Sequence, residues 1–154
     1  VQQNPAPVRG DIGFYWLPYT GWLLDQFPDT RFLCMQRDRA GTVASYLRHT
    51  EGRNHWVGHD GTHGELDEIW DKAFPKYDIE DKRAAVERYW DEYYSSAEVL
   101  QQQHPDNFRI FSVDALNSSE GQADMLSFLG SEPGDMIFTP GFHLNISHGH
   151  QGAR

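Results

Sequence analysis

Apolar positions recur along the chain with periods that change from helical to extended and back. Pro18 to Phe27 puts Leu23, Leu24 and Phe27 on one side of a short helix, which Pro28-Asp29 breaks. Arg31-Phe-Leu-Cys-Met-Gln-Arg37 is a short, mostly apolar run ending in charge, the pattern of a buried parallel strand. Asp38 is placed to cap a helix from Arg39 to about His49. In that helix Ala40, Val43, Ala44 and Leu47 form the expected buried stripe, with Gly41, Ser45 and Arg48 on the opposite side. Glu51 to Tyr77 is rich in Gly, His, Asp and Trp and has no sustained period apart from Leu66 to Trp70, so it reads as a long surface excursion. Asp78 then caps the longest predicted helix, about 79–103, with Val86, Tyr89, Trp90, Tyr93, Ala97 and Leu100 on its apolar face. Pro105-Asp106 ends it. Phe108 to Val113 reads as a second strand, and Ser119 with Gln122 has capping-box spacing before a helix at 123–129 that Gly130 stops.

Two strands, each followed by a helix, imply a central parallel sheet flanked by helices in one α/β domain over 1–154. Residues 1–10 read as an extended lead-in and 131–154 as an irregular tail, with no repeat and no domain boundary. Two strands make a thin core. Further strands are expected near Phe14 and Ile137, or in a piece missing on the N-terminal side, since the chain opens on Val1 and suggests a trimmed or truncated frame. An incomplete sheet leaves an edge uncovered, so self-association as a homo-oligomer is expected.

Composition narrows the function. Hydrophobic residues at 38% and aromatics at 14% of 154 residues support a real core. A formal charge of −10 argues against a nucleic-acid partner, which needs clustered Lys and Arg. It leaves room for a small anionic ligand held by a few local arginines. No apolar run reaches the length of a membrane span and no signal peptide opens the chain. With the lone Cys34, these points favour a cytoplasmic setting. The three lysines, Lys72, Lys76 and Lys82, follow no glycine-rich stretch, so an ATP-type phosphate loop is absent.

The chemistry concentrates between Phe32 and Ser45. Arg37 falls at the carboxyl end of a predicted parallel strand, where open α/β sheets bind ligands. The following helix directs its first N–H groups to the same crevice. Helical side chains lean toward the N-terminus, so Ser45 points back over the turn at Gly41 and can join Arg37 in gripping one phosphate. Spacing alone favours the plainer alternative, in which Arg37 pairs with Asp38 or a helix acid and Ser45 faces water.

The stretch from Phe32 to Ser45 resembles the 3′-phosphate-binding motif of the sulfotransferase family, an apolar strand, an Arg-Asp turn and a helix with serine eight residues after the arginine. Phe27-Pro-Asp-Thr-Arg-Phe32 is similar to the family's approach to that strand. Arg88-Tyr-Trp-Asp-Glu-Tyr93 resembles its long helix, and Phe108 to Leu116 followed by Met125-Leu-Ser-Phe-Leu-Gly130 resembles its later strand and helix. The resemblance runs in order over 27–130. It implies a P-loop-NTPase-like sulfotransferase fold and a donor, PAPS (3′-phosphoadenosine 5′-phosphosulfate), with PAP as its product. The sulfonate would pass to a hydroxyl or amine of a small-molecule, glycan or lipid acceptor. Arg37 and Ser45 would hold the 3′-phosphate, with Arg39 or Arg48 as helper.

The sequence departs from this pattern in ways that bear on activity. The family's Lys/Arg-Ser-Gly-Thr-Thr-like loop, which binds the sulfonate end and stabilises the leaving group, does not occur in it. Arg39 replaces the proline after Arg-Asp, and Val113 stands where a tyrosine is common before the acid, here Asp114. The family's upstream His or Glu base has no counterpart, because Asp11 is the only acid before Asp25 and no histidine precedes His49. The isolated chain is therefore expected to bind rather than to transfer. A non-catalytic nucleotide- or phosphate-binding module is the alternative.

Other features are read more plainly. His55, His59 and His63 have helical metal-ligand spacing, but Gly58, Asp60 and Gly61 break any helix there, so no metal is expected. His55, Trp56 and His59 are candidates instead for an acceptor pocket. His143, His148 and His150 fall in the tail. Asp67, Glu68 and Asp71 read as a solvated face. The aromatic cluster at Tyr89, Trp90, Tyr93 and Tyr94 reads as core.

Overall fold

In the computed structural model, which describes residues 10–59, 62, 64, 66–131 and 138, the chain is a mixed α/β unit. A two-stranded parallel sheet is flanked by helices. A 3₁₀ turn over Phe14–Tyr19 runs directly into α1, Thr20–Gln26. The strand expected near Phe14 is thus helical, and the site near Ile137 lies outside the described residues, as do the lead-in 1–9 and nearly all of the tail. Strand β1 is Phe32–Gln36 and β2 is Phe108–Ser112. They pair in parallel with Phe32 opposite Phe108 and Gln36 opposite Ser112. Asn107 fixes the start of both strands, its side-chain amide donating to the carbonyls of Pro28 at 2.8 Å and Thr30 at 2.9 Å.

Between the strands come α2, Arg39–His49, the short α3, Trp70–Ala73, and α4, Lys82–Gln103. After β2, a 3₁₀ turn at Val113–Asn117 leads into α5, Ser119–Phe128. The two sheet faces follow from strand alternation. Cys34 and Phe108, with Phe32 and Ile110, pack on Ala97, Tyr93 and Leu100 of α4. On the opposite face Phe111 meets Phe128 of α5, and Arg109 pairs with Asp124 at 2.8 Å. Gly130 (φ 85°) ends α5 in the left-handed region that glycine adopts at little cost. The turn closes with the Ser131 amide on the Leu126 carbonyl.

The excursion after α2 is where structure and pattern part. Asn54, His55, Trp56 and Val57 are buried, and Trp56 has no exposed surface. With Phe74, Tyr77, Val43, Ala85 and Val86 it forms half of the core. The segment was legible only as polar and aperiodic, because its apolar residues are single side chains inserted from an irregular backbone. Three further differences are local. Ser118, not Ser119, caps α5, its hydroxyl accepting from the Gly121 amide at 3.0 Å. Asp81, not Asp78, caps α4, its carboxylate accepting from the Ala84 amide at 2.7 Å. In α2, Ala40 and Ala44 are exposed, while Val43, Tyr46 and Leu47 meet the core. A large aromatic gains more from burial than two methyl groups, and the helix is turned accordingly. No described helix is long and apolar enough to cross a membrane.

Candidate functional site

A cleft of about 500 Å³ opens at the carboxyl end of β1, between α2, the buried excursion and the N-terminal 3₁₀ turn. Its lining combines the polar residues Arg37, Thr42, Ser45, His49, Thr50 and Arg53 with the aromatic rings of Phe14, Tyr46, Trp70, Phe74 and Tyr94, and with His55.

The local sequence explains why Arg37 and Ser45 share this space. Tyr94 donates its hydroxyl to the Met35 carbonyl at 3.0 Å, fixing the end of β1 against α4. The chain then turns at Asp38, whose carboxylate accepts from the Gly41 amide at 2.6 Å and caps α2. A side chain at Gly41 would place its Cβ 2.6 Å from that carboxylate, so the cap and the glycine go together. Two turns of helix bring Ser45 to the cleft side. The capping carboxylate uses the Gly41 N–H that the sequence had offered to an anion, and it offsets the positive helix end. Anion attraction here therefore rests on side chains rather than on the helix terminus.

The polar lining groups differ in what already holds them. Thr42 and Thr50 donate their hydroxyls to the carbonyls of Asp38 (2.8 Å) and Tyr46 (2.7 Å). Arg53 pairs with Asp67 at 3.2 Å. Arg37 reaches only the edge of an ion pair with Asp38, at 3.9 Å, with more than half of its side chain exposed. That pair is the plainer alternative raised by the sequence. At this separation and exposure it is a weak restraint on Arg37.

The other arginines named from sequence lie elsewhere. Arg39 turns to α4 and forms a bidentate pair with Asp91, at 2.7 and 2.9 Å, supplemented by Glu87 at 3.5 Å. The hydrogen bond to Asp91 raises the Arg39 pKa and lowers that of Asp91. Arg48 is exposed and does not line the cleft. Trp56 is a core residue, separated from the cleft by its own burial.

His55 and His59 converge on one carboxylate that the sequence had placed on a solvated face. Asp71 of α3 is buried and lies 2.6 Å from His55 Nδ1 through Oδ1. Its Oδ2 accepts from the Asp67 amide at 2.7 Å. His59 Nε2 is 3.3 Å from Oδ2, without hydrogen-bond alignment, and both His59 ring nitrogens are buried without a hydrogen-bond partner. Burial alone would push the Asp71 pKa up. The hydrogen bonds from His55 and the Asp67 amide, with His59 nearby, outweigh it and hold the carboxyl below its ordinary value. Lys76 donates to the His55 carbonyl at 2.6 Å, and its own pKa is lowered by burial, against the pull of Asp71. Among the described residues no group of three metal-ligating side chains forms. His63 and the tail histidines lie outside them.

Asp71 is the functional candidate that sequence reasoning missed. Its partner stands 16 residues away across a segment without period, so no spacing rule could have joined them. Searches against protein-family models, curated proteins and solved structures find no match for this chain.

Proposed function

We propose that the chain binds the 3′-phosphate end of PAPS or PAP in this cleft, as the donor-binding part of a sulfotransferase-type domain. The observation that carries the reading is the meeting of Arg37 and Ser45 in one cleft at the carboxyl end of β1. Arg37 has an exposed, weakly paired guanidinium there, and Ser45 adds a directional hydroxyl. The P-loop-like sulfotransferase fold belongs to the same proposal, since a strand-turn-helix with α4 and α5 on opposite sheet faces is what such a fold would place around the site. The cleft volume lies in the range of small-molecule sites. With a sulfonate-binding loop supplied, the same site would present the donor for transfer to a hydroxyl or amine.

Arg39 has no part in the grip, because its fork is filled by Asp91. Arg53, paired with Asp67, and His49 also line the cleft.

Calorimetric titration with PAP tests the proposal. Arg37→Ala removes one charge-assisted contact, about 1.5–3 kcal/mol, or roughly a tenfold to hundredfold rise in Kd. Ser45→Ala should weaken binding by a smaller factor. Absence of heat with the unaltered chain, or equal affinity in Arg37→Ala, contradicts it.

A further inference from the structure

The two edges of the small sheet are not alike. The Phe32 amide donates to the Asn107 carbonyl at 2.7 Å, so Phe32, Cys34 and Gln36 turn their backbone groups to β2. Alternation turns those of Leu33 and Met35 outward from β1, and those of Phe108 and Ile110 outward from β2. The β2 edge is already capped from α4 and the turn after it. Phe108 donates its amide to the His104 carbonyl at 2.8 Å, and Ile110 donates to the Gln101 side-chain oxygen at 2.7 Å. On the β1 edge the Tyr94 hydroxyl donates to the Met35 carbonyl. The Leu33 amide and carbonyl and the Met35 amide have no hydrogen-bond partner among the described residues. Edges are commonly blunted by lysine, proline or a bulge, and Phe-Leu-Cys-Met-Gln of β1 has none of them.

We propose that β1 pairs along this open edge with β1 of a second copy of the chain, antiparallel about a two-fold axis at Leu33. The outward backbone groups are then self-complementary. The two Leu33 residues exchange both N–H···O bonds, and Met35 does the same with Arg31 of the other copy. The Met35 carbonyl has a second lone pair for this beside Tyr94. Charge selects the register, because it sets Arg37 opposite Asp29. A slip of two residues one way would set Arg37 against Arg31, and the other way would leave Met35 opposite the turn at Asp29. The half-buried side chains of Leu33 and Met35 gain further cover from the neighbouring strand. A two-fold contact uses the same patch on both copies, and with the β2 edges capped the four-stranded sheet ends there. The pairing is independent of the donor reading, since it uses backbone groups outside the cleft.

Sedimentation velocity of the full chain should show 17.7 kDa units associating to about twice that mass and no further. Leu33→Pro removes an amide that β2 does not use, and it should raise the dimer dissociation constant about tenfold or more without changing the circular dichroism spectrum. Disulfide trapping reads the register, and still does so should Leu33→Pro fail to fold. Directly opposed hydrogen-bonded residues have Cα atoms about 5.5 Å apart, within disulfide reach. Leu33→Cys should therefore form a covalent dimer on mild oxidation. Arg31→Cys should cross-link to Met35→Cys and neither of them to itself. The native Cys34 does not compete, because it is buried and its thiol is pushed up to about 11. A dimer that Leu33→Pro leaves intact, cross-links in another register, or assembly beyond two copies overturns the proposal. So does a monomer throughout, in which hydrogen exchange at Leu33 and Met35 tells what the edge does instead. Slow exchange would place a segment of the same chain on it, and fast exchange would leave it open to a different protein.

Discussion

Arg37 and Arg39 stand two residues apart in sequence and meet different fates. Arg39 is locked to Asp91 and Glu87 on α4, and Arg37 projects into the cleft with only a long contact to Asp38. Which arginine faces the cleft follows from the turn. Arg37 ends a strand, while Arg39 opens a helix that already leans on α4. Arg39→Ala should therefore leave PAP affinity unchanged and cost a little thermal stability, whereas Arg37→Ala should do the reverse. Paired calorimetry and melting curves separate the two. Asp71 carries a second residue-scale consequence. Its folded pKa lies below the ordinary value of 3.8, so its contribution to stability is complete above that pH. It is lost as pH falls through the lower folded value. Urea midpoints of Asp71→Asn against the original chain should differ near neutrality and converge below about pH 4. A constant difference down to strong acid would mean that the carboxylate charge is not what stabilises the fold.

At the scale of elements, the readable parts were those whose period or punctuation is local. The helix at Arg39–His49, both strands and the Gly130 stop could be placed because capping residues and alternation act within a few positions. The two cleft-lining residues Arg37 and Ser45 were legible for the same reason: strand end and helix phase together fix where they go. The buried excursion was not, because Trp56, His55 and Asp71 are brought together by tertiary packing and follow no spacing. Trp56 is also the most consequential side chain of the segment. It touches Tyr46, Phe74 and Tyr89 at ring separations of 4.8 to 6.1 Å, and so joins α2, the excursion and α4. Trp56→Ala should cost about 3–5 kcal/mol, enough to leave a small domain mostly unfolded, as measured by urea denaturation. Trp56→Phe should cost much less, because the buried Trp56 Nε1 has no hydrogen-bond partner to lose. Asp38→Ala, by contrast, removes a single cap and should cost about 1 kcal/mol.

For the whole molecule, the thin sheet is the feature with the widest consequences. β1 and β2 pair with each other and, among the described residues, with no third strand. Large apolar side chains at Ile12, Tyr19, Trp22 and Phe27 are exposed on the N-terminal side of β1. Both points favour self-association, against which the net charge of −10 works by repulsion. Sedimentation velocity should show a species larger than 17.7 kDa that grows with concentration and salt. A monomer throughout would show that the exposed surface does not drive pairing between copies. The cleft itself does not depend on that outcome, because its lining comes from the turn after β1, the N-terminal 3₁₀ turn, α2, α4 and the excursion within one chain.

The central claim is that Arg37 recognises a phosphate on the 3′ position, and comparing two ligands that differ only there tests it most directly. PAP and adenosine 5′-monophosphate would each be titrated into the original chain and into Arg37→Ala. The account predicts that PAP binds the original chain about tenfold to hundredfold more tightly than the monophosphate, and that the gap nearly closes in Arg37→Ala. Equal affinities in the original chain, or a gap that survives the substitution, would contradict it.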